Sequence, residues 1–152
     1  MERRTHLALE SLQVLEKSGW YVGREVDTAK WEAEIVADGF PPLHAAARKF
    51  LREYGGLWFP DGGSGITRAR EPFNLVPTAC LGEADRFADW SAHRQRSIAP
   101  IGDLASGTNA WSWLGIDERE EIYAVIDGMV TFGRMPFAMD GLVFGYMPRD
   151  LD

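Results

Sequence analysis

Through the first fifty-five residues apolar side chains recur every three or four positions; beyond them the period shortens toward two. The first part predicts three helices. Residues 5–18 carry Ala8, Leu12 and Leu15 on one stripe, and Gly19 is placed to close the helix in a left-handed cap with Trp20 folding back over it. A second helix is expected to start at Asp27 as N-cap, to set Trp31 and Ile35 one turn apart, and to stop at Gly39. Pro41 and Pro42 block its continuation and pre-set the first turn of a third. There Leu43, Ala46, Ala47, Phe50, Leu51 and Tyr54 keep helical spacing without a miss.

After Gly55-Gly56 come short β-like runs at 57–59, 66–68 and 73–76, separated by a glycine loop at Gly62, Gly63 and Gly65. Residues 79–92 read as helix again, with Ala84, Phe87 and Ala88 on one side. Four strands are expected at 97–101, 110–116, 121–126 and 129–132, the last two joined by Asp127-Gly128 as a type I′ hairpin. A terminal helix over 136–147 follows, weakened by Gly141 and Gly145. Helices gathered at the start and sequential hairpins later define an α+β fold: N-terminal helices packed on a central antiparallel sheet, with a C-terminal helix.

Length adds that the 152 residues make one domain spanning 1–152. Charge adds more. Sixteen Lys and Arg stand against 23 Asp and Glu, a net charge of −7, with no basic run to follow phosphates, so direct nucleic-acid binding is not expected. The excess is concentrated in residues 116–152, which hold three basic and eight acidic residues. That segment would attract a basic partner or serve solubility. Cys80, the one cysteine, can neither staple the chain nor build a thiolate cage, which fits a reducing cytoplasm. Polar residues from Glu10 onward break any signal-like run, and no apolar stretch reaches membrane-spanning length, so no membrane association is expected.

The search for chemistry assigns no catalytic residue and no cofactor. His6, His44 and His93 fall in three different predicted helices, and none has another histidine or a suitably placed carboxylate one turn away, so no metal site is expected. Residues 61–65, Asp-Gly-Gly-Ser-Gly, lack the Lys and hydroxyl pair of a phosphate loop and the spacing of a nucleophile elbow; a flexible surface loop accounts for them. Cys80 would need a histidine base to act as nucleophile, and burial is the commoner fate of a lone cysteine. The tryptophans say more. Trp111 and Trp113 alternate with Ser112, so both project from one sheet face, where they either form core or make an aromatic platform for a partner.

Read in order, Ser18-Gly19-Trp20, Gly23-Arg24, Val26-Asp27, Gly39-Phe40, His44-Ala45-Ala46, Phe50-Leu51 and Tyr54-Gly55-Gly56-Leu57 make a recognisable series. It continues with Glu71-Pro72-Phe73-Asn74, Pro77, Gly82 to Phe87, Pro100-Ile101-Gly102, Leu114-Gly115-Ile116-Asp117 and Ile122-Tyr123. This resembles the SUKH superfamily of bacterial immunity proteins, most closely its third subgroup, over residues 15–145. The resemblance implies an α+β fold, no enzymatic activity, and the binding and neutralising of a toxin domain. Such toxins are polymorphic and are often nucleases or deaminases. The chain departs from the pattern at 129–134, where members often carry a tryptophan-containing strand, and in its glycine-shortened last helix.

A toxin that grips phosphates is basic, and an acidic inhibitor can imitate its polyanion. The candidate contact residues are therefore Asp117, Glu118, Glu120, Glu121 and Asp127 of the acidic hairpin region, flanked by Trp111 and Trp113. Trp20, Tyr54 and Gly55-Gly56 are expected to serve folding instead. An intracellular scaffold or regulatory adaptor with a native protein partner is the competing reading. A small-ligand site at the two tryptophans, or a Cys80 nucleophile, is a third. Composition does not separate a monomer from a homodimer.

Overall fold

A computed structural model describes residues 9–60, 63–64, 69–70, 72–105, 111–125, 128–144 and 148–151. Three helices open the described chain: α1 (Leu9–Lys17), α2 (Ala29–Ala37) and α3 (Ala45–Tyr54). As the spacing predicts, Leu15, Ile35, Phe50 and Leu51 are buried. The caps follow the glycines. Gly19 is left-handed at φ 113°, and the Trp20 amide donates back to the Leu15 carbonyl at 2.9 Å; Gly39 and Phe40 repeat the arrangement on Ile35. Two starts shift by a residue or more. Thr28, not Asp27, is the N-cap of α2, although Asp27 still accepts from the Ala29 amide at 2.9 Å. Helix α3 begins beyond the prolines, with His44 as its N-cap.

His44 and Arg24 lock this helical layer together. The His44 ring accepts from the Ala47 amide through Nδ1 (3.1 Å) and donates from Nε2 to the Ile116 carbonyl (3.1 Å), tying the start of α3 to the sheet. At the other end the Arg24 guanidinium donates to the Glu53 and Gly55 carbonyls (2.7 and 2.8 Å), which the helix itself leaves unpaired. Gly55 has no room for a side chain: a Cβ would meet the Leu51 carbonyl and stand 2.6 Å from the Trp31 ring. The motif residues are thus the carpentry of the helical layer.

The sheet has seven strands in the order β1-β4-β5-β6-β7-β8-β9, every neighbouring pair antiparallel. They are β1 (Trp58–Phe59), β4 (Phe73–Asn74), β5 (Ala99–Leu104), β6 (Ser112–Ile116), β7 (Glu121–Val125), β8 (Met129–Arg134) and β9 (Arg149–Asp150). Gly63–Ser64 (β2) and Ala69–Arg70 (β3) pair separately, so part of the expected loop at 61–65 is a short ladder. The expected strand at 66–68 lies outside the described residues, as do Ala8 and His6. Strand β9 was not anticipated from the sequence pattern.

A single-turn 3₁₀ helix (Pro77–Cys80) precedes α4 (Ala84–Arg94), which corrects the continuous helix expected from residue 79. Phe87 and Trp90 are its buried residues, whereas Ala88 is exposed. In the β7–β8 hairpin Val125 pairs with Met129, leaving three residues between them rather than the two of a type I′ turn. Helix α5 (Phe137–Phe144) packs on β8 and on α1, where Ser11 Oγ donates to Asp140 Oδ1 at 2.5 Å. One core runs from Leu15, Ile35 and Leu51 through Leu75, Ile101, Leu114 and Ile122 to Met139.

Candidate functional site

Strand β6 carries chemistry at both ends. Alternation puts Trp113 and Gly115 toward α4. The Arg86 guanidinium lies 4.6 Å from the centre of the Trp113 ring, and a Cβ on Gly115 would come within 2.5 Å of Ile98 and 3.0 Å of Phe87. Only glycine lets the helix sit so close. About 13 Å of strand, at ~3.3 Å per residue, separates Trp113 from Asp117. The two halves of the expected contact surface are therefore apart.

At the far end, Asp117 is fully buried. Its Oδ1 accepts from the Arg119 and Glu121 amides (2.8 and 3.0 Å), and its Oδ2 accepts from the Tyr123 hydroxyl at 2.8 Å, with Arg96 Nε 3.9 Å away. Burial first, and the bond to Asp117 next, push the Tyr123 phenol up. Asp117 is thereby removed from any contact surface, which corrects its expected role: it builds the turn. Its neighbours are also engaged. Glu120 pairs with Lys49 at 3.6 Å, Glu121 accepts from the Thr131 hydroxyl at 2.6 Å, and exposed Glu118 accepts from the Ser97 amide at 2.9 Å. Asp127 lies outside the described residues.

At the near end the cross-strand register lines up Trp58, Asn74, Asp103 and Trp113 across β1, β4, β5 and β6, so their side chains share a face. Trp111, just before β6, has its ring 5.3 Å from that of Trp113. Trp58 is 66% exposed and Trp111 46%, so neither belongs to the core, whereas Trp113 is half-buried and packs against it. Between them Asp103 is 5% exposed; it accepts from Asn74 Nδ2 and, at 3.1 Å, from Trp111 Nε1. Desolvation raises its pKa, against the lowering influence of those two donors. Among the described residues no lysine or arginine pairs with it.

Sequence reasoning missed Trp58, Asn74, Asp103 and Arg86. Alternation in Leu57-Trp58-Phe59, buried, exposed, buried, was the available signal for Trp58. A lone acid in the apolar run 99–104 was the signal for Asp103, but a register shift between Pro100 and Gly102 breaks the alternation that would place it.

The other candidates have structural partners. Cys80 is buried, its thiol donates to the Gly102 carbonyl at 3.2 Å, and burial pushes its pKa well up, so it offers no thiolate. Among the described residues no group of three His, Cys, Asp or Glu side chains could hold a metal ion, and no helix is long and apolar enough to cross a membrane.

Fold and site together describe an α+β protein in which helices brace a seven-stranded sheet and an aromatic row with one acid opens on the sheet's β1 side. The model of the SUKH-3 immunity protein family matches residues 9–145, and the chain belongs to that family. No curated protein and no solved structure matches it.

Proposed function

We propose that this chain is a non-catalytic cytoplasmic immunity protein that binds and neutralises a cognate polymorphic toxin domain, a basic nuclease or deaminase. The observation that carries the reading is family membership over nearly the whole chain. The net charge of −7 supports a basic partner, since opposite charge speeds encounter and penalises wrong partners.

The contact surface in this reading is the row containing Trp58, Trp111 and Trp113. Tryptophan is enriched at interface hot spots, and Trp58 and Trp111 are exposed. In the acidic turn, by contrast, Glu118 is the one strongly exposed carboxylate among the described residues. Glu118, Glu120 and Glu121 then act as a rim, steering the approach.

The test is survival of cells that express the toxin domain of a neighbouring open reading frame, with and without this protein. Specific rescue is expected, and Trp58→Ala should weaken it more than Glu118→Lys. Absence of rescue hands the lead to an adaptor with a native partner.

A further inference from the structure

Beside Asp103 the β1–β4 edge holds a pocket of about 290 Å³, lined by Trp58, Phe59, Pro60, Phe73, Asn74 and Asp103. It falls at the lower end of ligand-site volumes, sized for a side chain rather than a cofactor. Apart from Asn74 and Asp103 its lining residues are apolar, with exposed Trp58 and Pro60 at its opening. Its polar end is a carboxylate that has left water, carries two neutral donors, and has no cationic partner among the described residues. A carboxylate has about four lone-pair positions, and Asn74 and Trp111 take one on each oxygen. The geometry thus has room for a further pair of donors beside two exposed indole rings.

We infer that this pocket receives one arginine side chain of a protein partner, its guanidinium donating to Asp103 and its plane lying against Trp58. Charge complementarity selects a cation, and the flat indole selects the planar one: a guanidinium stacks on aromatic faces and can donate two parallel bonds, which an ammonium cannot. The chain already shows this preference, because its own Arg86 lies over Trp113 in the same row. The assignment of the occupant to a toxin rests on the function proposed above; the pocket's preference for arginine does not.

Two measurements separate these claims. First, N-acetyl-arginine methylamide is titrated into the full chain while the Trp58 and Trp111 indole N–H signals are followed by NMR, with the citrulline and lysine counterparts as controls. Saturable shifts at both indoles are expected with arginine, with citrulline at least tenfold weaker and lysine clearly weaker. Asp103→Asn should abolish the response, and Trp58→Ala, at an exposed position that leaves the fold intact, should weaken it at least fivefold. No saturable shift, or equal binding of citrulline or lysine, overturns the inference. Second, the toxin-survival assay is run with Trp58→Ala. Loss of rescue by a variant that has also lost arginine binding supports a toxin arginine as occupant; undiminished rescue overturns that assignment while the arginine pocket stands on the NMR result.

Discussion

Two buried aspartates, Asp103 and Asp117, lie by opposite ends of β6 and have opposite occupations. Each accepts from an aromatic donor, the Trp111 indole in one case and the Tyr123 hydroxyl in the other. Asp117 takes in addition two backbone amides of its own turn and has Arg96 nearby, so its charge is dispersed within the fold. Asp103 takes a side-chain amide from another strand and faces a pocket. A carboxylate spent on local backbone donors is structural, because losing it orphans donors that cannot reach water. One held by side chains at an aromatic opening has capacity left for something outside.

The sharpest test of this contrast is Asp117→Ala. It leaves two turn amides and the Tyr123 hydroxyl without their acceptor and should cost about 3–4 kcal/mol, lowering the melting temperature by roughly 10 °C in a thermal unfolding scan. Little change would mean that the two aspartates do not differ as described. Asp103→Ala should cost less, about 1–2 kcal/mol by urea unfolding, since the Trp111 ring is near enough to solvent for water to replace its acceptor.

The pH dependence of stability sharpens the point. Desolvation raises the Asp103 pKa above its usual 3.8, so the native state holds this proton more tightly than the unfolded chain. Its contribution is fully present below the unfolded value and is lost as pH rises through the folded one. Stability of the native protein relative to Asp103→Asn should therefore fall as pH rises from about 3.5 toward neutrality. Glu32 works the other way: the Arg48 hydrogen bond, opposed by desolvation, holds its pKa below 4.5, so its smaller contribution is present above 4.5 and is lost as pH falls through the folded value.

Glu118→Lys should do least, shifting stability by within about 0.5 kcal/mol in the same urea titration.

Much of the helical layer was legible in advance because its determinants are local. The stripe ending at Leu15, the glycine stops at Gly19 and Gly39, and the run from Ala47 to Tyr54 are each set by side chains a few positions apart, and each is found in the fold. Where two local signals competed, the margins moved: Asp27 and Thr28 both offer a capping oxygen, and Gly82 broke what periodicity alone read as one helix from residue 79. The tryptophan pair was also visible, since a period of two puts Trp111 and Trp113 together, as their rings are.

The contact surface was less legible. The acidic segment 117–121 reads as a charged patch in one dimension, and folding turns its first member inward onto Tyr123 while Lys49 from α3 and Thr131 from β8 come to engage Glu120 and Glu121.

What the amino-acid order determined by itself was the α+β class, the helix stops and the pairing of Trp111 with Trp113, all products of contacts within a turn of helix or along one strand; that Trp111 is exposed was left open. What only the tertiary structure decided was the meeting of Trp58, Asn74, Asp103 and Trp113 from four strands, across a bulge that resets which way Asp103 faces. Local propensity acts over a few residues, whereas a register is settled by packing the whole sheet, and it is the register that makes this row.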